Sequence, residues 1–337
     1  MRITSILTII AFSFTLVPAS AQRKMTTVME AIGQNEGERV TIEMDLTTIM
    51  AQRNNDTYFP AAVMTDNGLS FKAEVRPRGK YRRKNSVYPP LKLKFKKKEL
   101  IAAGMDTLNE IKLVLPAVDN ALGDELVIRE YLAYKMFEKL SPVHVKARLI
   151  RLTIKDTHVE KSKKNMFAIL VEDAEETAAR YNGVEVEEYG ISPDSLAANQ
   201  AALLVMFEYM IGNTDWDISM MRNVRLLRTQ AGGKILALPY DFDFSGLVSA
   251  PYASPSSDTG LKTVRDRFLM ANGIKPDALK RAVMNLRKNR QAIYDICRNR
   301  FVSRETSDDM MLFLDTFFNQ IGENDEVPQM LKMDDAD

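Results

Sequence analysis

Apolar and polar residues alternate from Gly68 to Arg76. They alternate again along Leu91-Lys92-Leu93-Lys94-Phe95-Lys96. A period of two with one apolar face predicts half-buried strands. Further strands are expected over Glu38 to Asp45, Glu110 to Leu115, Val145 to Ile154 and Asn165 to Val171. After the Glu110 to Leu115 strand, Asp119 or Asn120 opens a helix that runs to Leu140 and ends at Ser141-Pro142. Its stripe is Leu122, Leu126, Glu130, Ala133, Phe137 and Leu140, apolar except for Glu130. The acidic stretch Glu172 to Pro193 reads as an irregular connection. After it the pattern changes. Ser195 to Ile211 is apolar almost all round, which predicts a helix buried on most sides, stopped by Gly212 at the position after its C-terminus. Asn223 to Arg228 and Lys234 to Leu238 flank the glycine turn Thr229 to Gly233, a hairpin signal. A Pro/Ser/Gly-rich loop, Ser249 to Gly260, precedes helices expected over Val264 to Ala271, Pro276 to about Phe301, and Glu305 to Gln320. The chain thus reads as α+β, with a strand-rich part over 22–175, a helical part over 176–322 and an acidic tail over 323–337.

The candidate chemistry collects around the hairpin. Gly212-Asn213-Thr214-Asp215-Trp216-Asp217 precedes it, and Pro239-Tyr240-Asp241-Phe242-Asp243 follows it. Pairing centred near Gly232 sets Asn223 opposite Asp241, so Asp215, Asn223, Asp241 and Asp243 converge at the open end of the hairpin. Oxygen donors gathered in this way suit a hard cation such as Mg²⁺. A neighbouring aspartate able to orient a hydroxyl completes what phosphoryl transfer needs. The lysine face of Leu91 to Lys96 has two readings. It is either a solvated face that protects an edge strand or a surface turned to phosphate, assisted by Arg78 and Gly79 in the preceding loop. Glu130 also has two. Within its stripe it either pairs with a lysine of the preceding strand, Lys112 being the natural partner, or reaches water at the stripe's edge.

Composition and charge add little and exclude some classes. The 337 residues are 45% hydrophobic and 27% charged with a formal net charge of +1, which fits a large globular core and gives no footprint for nucleic acid. The first residues say more. Met1-Arg2, the apolar run Ile6 to Val17, and Pro18-Ala19-Ser20-Ala21 form the pattern of a secretory signal peptide over 1–21, cleaved after Ala21. Export to the periplasm or the exterior is the expectation, with no integral membrane segment after cleavage. Cys297 is the sole cysteine, so no internal disulfide is available, and it reads as a small buried hydrophobe. Two histidines, His144 and His158, argue against a histidine-based metal site or triad. No Gly-x-Gly-x-x-Gly nucleotide loop occurs.

The order of these parts follows the protein-kinase layout: strands, a lysine strand, a helix with an inward Glu, more strands, a buried helix, an Asp loop, a hairpin and a second Asp. The residues Gly-Asn-Thr-Asp-Trp, Asn223 at a strand start and Pro-Tyr-Asp-Phe-Asp resemble the spore coat protein H (CotH) kinase family. Arg-Gly-Lys-Tyr-Arg, Pro-Pro-Leu-Lys-Leu-Lys-Phe and Tyr-Asp-Phe-Asp-Phe-Ser-Gly are similar to its exported Bacteroidota-type branch. The resemblance covers roughly residues 70 to 270 and implies an atypical two-lobed kinase fold using ATP and Mg²⁺. It makes Asp215 the catalytic aspartate, has Asn223 and Asp241 hold Mg²⁺ with Asp243 assisting, and has Lys112 touch the ATP phosphates, placed by Glu130. Lys94 is the alternative lysine, and Arg78 a further phosphate contact. The chain departs from ordinary kinases in lacking His-Arg before Asp215. Asn223 also stands eight positions after that aspartate rather than five, and Asp243 replaces the glycine of Asp-Phe-Gly.

The implied activity is transfer of the ATP γ-phosphate to a Ser or Thr hydroxyl of an envelope protein. Two alternatives stand beside it: a kinase-fold structural or binding protein without activity, in a compartment where ATP is scarce, and a Mg²⁺-dependent transfer of AMP.

Overall fold

The structure is a computed structural model and describes residues 25–160, 163–229 and 233–322. The expected leader, the middle of the glycine turn and the acidic tail lie outside these residues.

A closed seven-stranded barrel forms the strand-rich part, in the order β1-β2-β3-β4-β5-β7-β6. Its strands are β1 (Glu38–Met44), β2 (Phe59–Thr65), β3 (Ser70–Pro77), β4 (Leu91–Phe95), β5 (Glu110–Val114), β6 (Ala147–Asp156) and β7 (Lys163–Glu172). Neighbours are antiparallel except where β6 meets β1 in parallel, Leu152 opposite Val40, which closes the ring and removes its free edges. Alternation decides what is inside. Leu91, Leu93 and Phe95 of β4 and Ile111 and Leu113 of β5 are buried in the barrel core, while Lys92, Lys94 and Lys112 point the other way. Short helices α1 (Val28–Ile32), α2 (Leu46–Ala51), α3 (Tyr81–Asn85) and α4 (Lys97–Ala102) decorate the barrel.

Helix α5 (Ala121–Leu140) links the barrel to the rest, packing on β6 and β7 and on the later helix Arg290–Cys297. Asn120 caps it by accepting the Gly123 amide at 3.1 Å. The expected stripe is too narrow. Leu122 is 41% exposed, whereas the sides of the helix are covered from Leu126 onward, and Glu130 is fully buried rather than at a wet edge. Tertiary cover on two sides explains this, because periodicity registers only one.

The second large core is helical. Its centre is α7 (Ala198–Ile211), buried at every residue from Ala201 to Ile211 as the sequence predicts. A small sheet lies beside it, made of β8 (Gly183–Glu185), β9 (Val224–Thr229) and β10 (Leu236–Pro239) in the order β10-β9-β8. The acidic connection is therefore not irregular throughout, since it contains α6 (Ala174–Arg180) as well as β8. The last helices are α8 (Pro276–Lys288), α9 (Arg290–Cys297) and α10 (Arg304–Ile321). The single helix expected from Pro276 breaks at Asn289, whose Nδ2 donates to Asn285 O at 2.9 Å and so competes with the backbone ladder. Val264 to Ala271 is not helical. Arg267 holds that segment from three sides, donating to Met210 O at 3.1 Å, Phe313 O at 2.8 Å and Thr316 Oγ1 at 2.6 Å. Local helical preference in so short a stretch does not outweigh those contacts.

Candidate functional site

The loop after α7 is rigid for local reasons. Gly212 takes φ +66°, which ends the helix, and a Cβ there would meet the Phe313 ring at 3.0 Å. Asn213 Oδ1 accepts the Asp215 amide at 2.9 Å, and Trp216 is buried with its Nε1 donating to Asn213 O at 3.2 Å. Asp217 and Arg222 then exchange backbone hydrogen bonds at 2.9 Å, a bridge that returns the chain toward β9. Asp217 Oδ1 accepts the Met220 amide at 2.8 Å, so this aspartate serves the turn.

The hairpin register differs by one from the sequence expectation. Val224 pairs with Pro239, so Asn223 stands opposite Tyr240, whose amide donates to Asn223 O at 3.0 Å. In a regular strand such a slip turns Asp241 to the other face. Here strand geometry ends at both positions, with Asn223 at φ +53° and Asp241 at φ +68°. Left-handed backbone at non-glycine residues costs about 1 kcal/mol each even for Asn and Asp, and such strain concentrates at functional sites. The Asp241 amide is held in that turn by the hydroxyl of Tyr134 on α5, at 2.9 Å. Phe242 is fully buried between Tyr134 and Phe207, with ring centroids at 4.7 and 5.5 Å. This one aromatic anchors the aspartates on either side of it.

Asp215, Asn223, Asp241 and Asp243 all line one cavity of about 980 Å³ between the barrel and the helical part, and Lys112 and Arg78 line the same cavity. Asn223 Nδ2 donates to Asp215 O at 2.7 Å and to Asp215 Oδ2 at 3.0 Å, and among the described residues none donates a hydrogen bond to the amide oxygen of Asn223. Burial pushes the Asp215 carboxyl up, opposed by Arg222, whose Nε lies 3.6 Å from Oδ1. Asp243 is pushed up to about 7 by burial and by Asp241, against the pull of Arg82. Its Oδ2 accepts the Tyr252 hydroxyl at 3.1 Å, and among the described residues none donates a hydrogen bond to its Oδ1.

Two sequence-predicted residues lie elsewhere. Lys94 sits on the outer face of β4, 3.6 Å from Glu110 and over the Tyr58 ring, outside the cavity lining. Glu130 pairs with Arg82 of α3 at 3.5 Å, not with Lys112. The proposed Lys112 pair fails because Lys112 points over the Tyr240 ring at 5.2 Å. Burial, Arg225 and Arg78 hold its amine well below the usual lysine range. Sequence reasoning missed Arg82, although Arg-Gly-Lys-Tyr-Arg contains it. It also missed Arg225, which reaches Thr177 Oγ1 at 2.6 Å and Glu172 O at 2.7 Å from the cavity floor. An arginine set between Val224 and Leu226 in an otherwise apolar strand start was the available signal.

Among the described residues no three Asp, Glu, His or Cys side chains are grouped closely enough to hold a metal by themselves. The donor set suits Mg²⁺ in the mode that uses one or two carboxylates with substrate phosphates, because the Asn223 and Asp243 oxygens are open and the rest must come from ligand and water. No protein-family model matches the chain, and no curated protein matches it significantly.

Proposed function

We propose that this chain is an exported atypical kinase that transfers the γ-phosphate of ATP to a Ser or Thr hydroxyl of an envelope protein, on a two-lobed kinase-like fold. The observation that carries the reading is the meeting of two kinds of group in one cavity. Asp215, Asn223, Asp241 and Asp243 form its oxygen-donor side, and Lys112, Arg78 and Arg225 its cationic side. The CotH-type motifs and the leader-like N-terminus support it from the sequence.

In this reading Asp215, steadied by Asn223 and by its own loop, accepts the hydrogen bond of the acceptor hydroxyl and receives its proton as the phosphoryl group arrives. Lys112, Arg225 and Arg78 hold phosphate oxygens, and an entering anion adds to the counter-charge that Asp173 already supplies to Lys112. Bound at Asn223, Asp241 and Asp243, Mg²⁺ would neutralise charge on the transferring phosphates. Catalysis then rests on positioning and charge rather than on covalent chemistry.

An inactive binding protein is the second reading. The observation that favours it is the replacement of the Lys–Glu pair of active kinases by Arg82–Glu130.

The test is a thermal shift of the chain from Gln22 onward with ATP and Mg²⁺, repeated on Asp241→Ala, followed by mass analysis of candidate acceptors. Ligand that binds only the folded state must raise the melting temperature. A Mg²⁺-dependent rise lost in the variant, and a gain of about 80 Da on an acceptor by loss-free addition of a phosphoryl group, support kinase action. A gain of about 329 Da marks AMP transfer instead, and no shift at millimolar ATP supports the binding protein.

A further inference from the structure

The segment 78–90 joins β3 to β4 and carries α3. It walls the cavity with Arg78, Lys80 and Tyr81, then crosses to the helical part. Tyr81 packs edge-on against Phe244 at 5.4 Å and beside Tyr252 at 6.3 Å, both in the segment that follows Asp243. Arg82 goes deeper and is 7% exposed. One guanidinium nitrogen donates to Leu115 O, and the other faces Glu130 Oε2 at 3.5 Å and Asp243 Oδ2 at 3.7 Å. Three elements, β5's continuation, α5 and the Asp241–Asp243 turn, therefore meet on one side chain delivered by the cavity wall.

Burying an arginine for stability alone is a poor bargain, since apolar replacements of buried ion pairs are often as stable. The arrangement does something more specific. Tyr252 and Arg82 both engage Oδ2 of Asp243, and among the described residues none donates a hydrogen bond to Oδ1.

We infer that Arg82 is a positioning residue for the cation side of the cavity: it fixes Asp243 so that Oδ1 is left to a divalent cation, and it makes docking of the 78–90 segment and assembly of that cation site one event. The inference rests on the proposed Mg²⁺ site at Asn223, Asp241 and Asp243. Reciprocity follows, because a cation that favours the positioned Asp243 must also favour the docked segment.

Charge and positioning predict opposite signs. Arg82→Gln removes a positive charge beside a cation site, so electrostatics alone strengthens cation binding. Loss of an orienting partner weakens metal binding by about 10- to 100-fold. The probe is Mn²⁺ without nucleotide, measured by electron paramagnetic resonance on the chain from Gln22 onward, with folding checked by melting. Arg82→Gln is expected to bind Mn²⁺ at least about tenfold more weakly. Arg82→Lys, which keeps the charge but not the fork, should also weaken binding and serves if the glutamine variant does not fold. Equal or tighter Mn²⁺ binding by both variants overturns the inference.

Hydrogen exchange supplies the second readout. Amides of 78–90 should exchange faster in Glu130→Gln, and should slow on Mn²⁺ addition in the wild type but not in Arg82→Lys. Unchanged exchange in all three comparisons overturns the coupling. If the wild type binds no Mn²⁺, the cation role falls and Arg82 is a structural tie only. If Mn²⁺ binds as expected and ATP does not, the kinase reading fails while the role of Arg82 stands.

Discussion

Substituting Glu176 by glutamine isolates one buried proton and its effect on stability. Glu176 lies on α6, is 4% exposed, and is pushed up to about 7. Burial is the main cause; Glu172 and Glu30 add to it, and a hydrogen bond from Thr27 Oγ1 at 2.5 Å opposes it. Its other oxygen has no hydrogen-bond partner among the described residues. A carboxyl whose folded pKa lies above the unfolded value near 4.5 stabilises the fold fully below that pH. The contribution is lost as pH rises through 7. At about 1.4 kcal/mol per pH unit the loss amounts to about 3 kcal/mol. Glutamine keeps an acceptor for Thr27 and cannot ionise, so Glu176→Gln should be more stable than the wild type by about 2–3 kcal/mol at pH 8 and nearly equal to it at pH 4.5. The Asp243 shift has the same sign but is common to both proteins, so it cancels in the difference. Urea unfolding midpoints at half-unit pH steps between 4.5 and 8 measure this directly. Parallel pH profiles for the two proteins would refute the reasoning. The result bears on the site because Thr177, the next residue of α6, holds Arg225 at the cavity floor.

Asp241→Gly should be more stable than Asp241→Ala by about 1 kcal/mol, since φ +68° suits glycine and strains alanine, while both lose the Mg²⁺-dependent thermal shift with ATP; equal melting temperatures would count against backbone strain at this position. Gly123→Ala places a Cβ 2.1 Å from the Val118 carbonyl oxygen, so the start of α5 must shift; a loss of more than about 2 kcal/mol in urea unfolding is expected. Phe242→Ala removes the fully buried ring between Tyr134 and Phe207 and should cost about 3–5 kcal/mol in urea unfolding, with loss of Mn²⁺ binding beyond what that destabilisation explains.

Local patterns determined most of the elements. The strict alternation of Leu91 to Lys96, the cap at Asn120, the all-round apolar run of α7 and the glycine stop at Gly212 each depend on residues close in sequence, and each is where the pattern places it. The convergence of Asp215, Asn223, Asp241 and Asp243 on one cavity was legible for the same reason, because a short loop and a hairpin keep them near one another. Tertiary structure decided the rest. The one-residue register at Asn223 and Tyr240 depends on two left-handed residues that no periodicity encodes. The partner of Glu130 is Arg82, 48 positions away on a different element, so a choice among lysines of the adjacent strand could not find it. The strand pairing of β1 with β6 that closes the barrel, and the three-sided grip of Arg267 that displaces an expected helix, are likewise contacts between segments far apart in the chain. Propensity and periodicity are properties of neighbours along the chain. Which buried charge meets which is settled only when distant surfaces exclude water together.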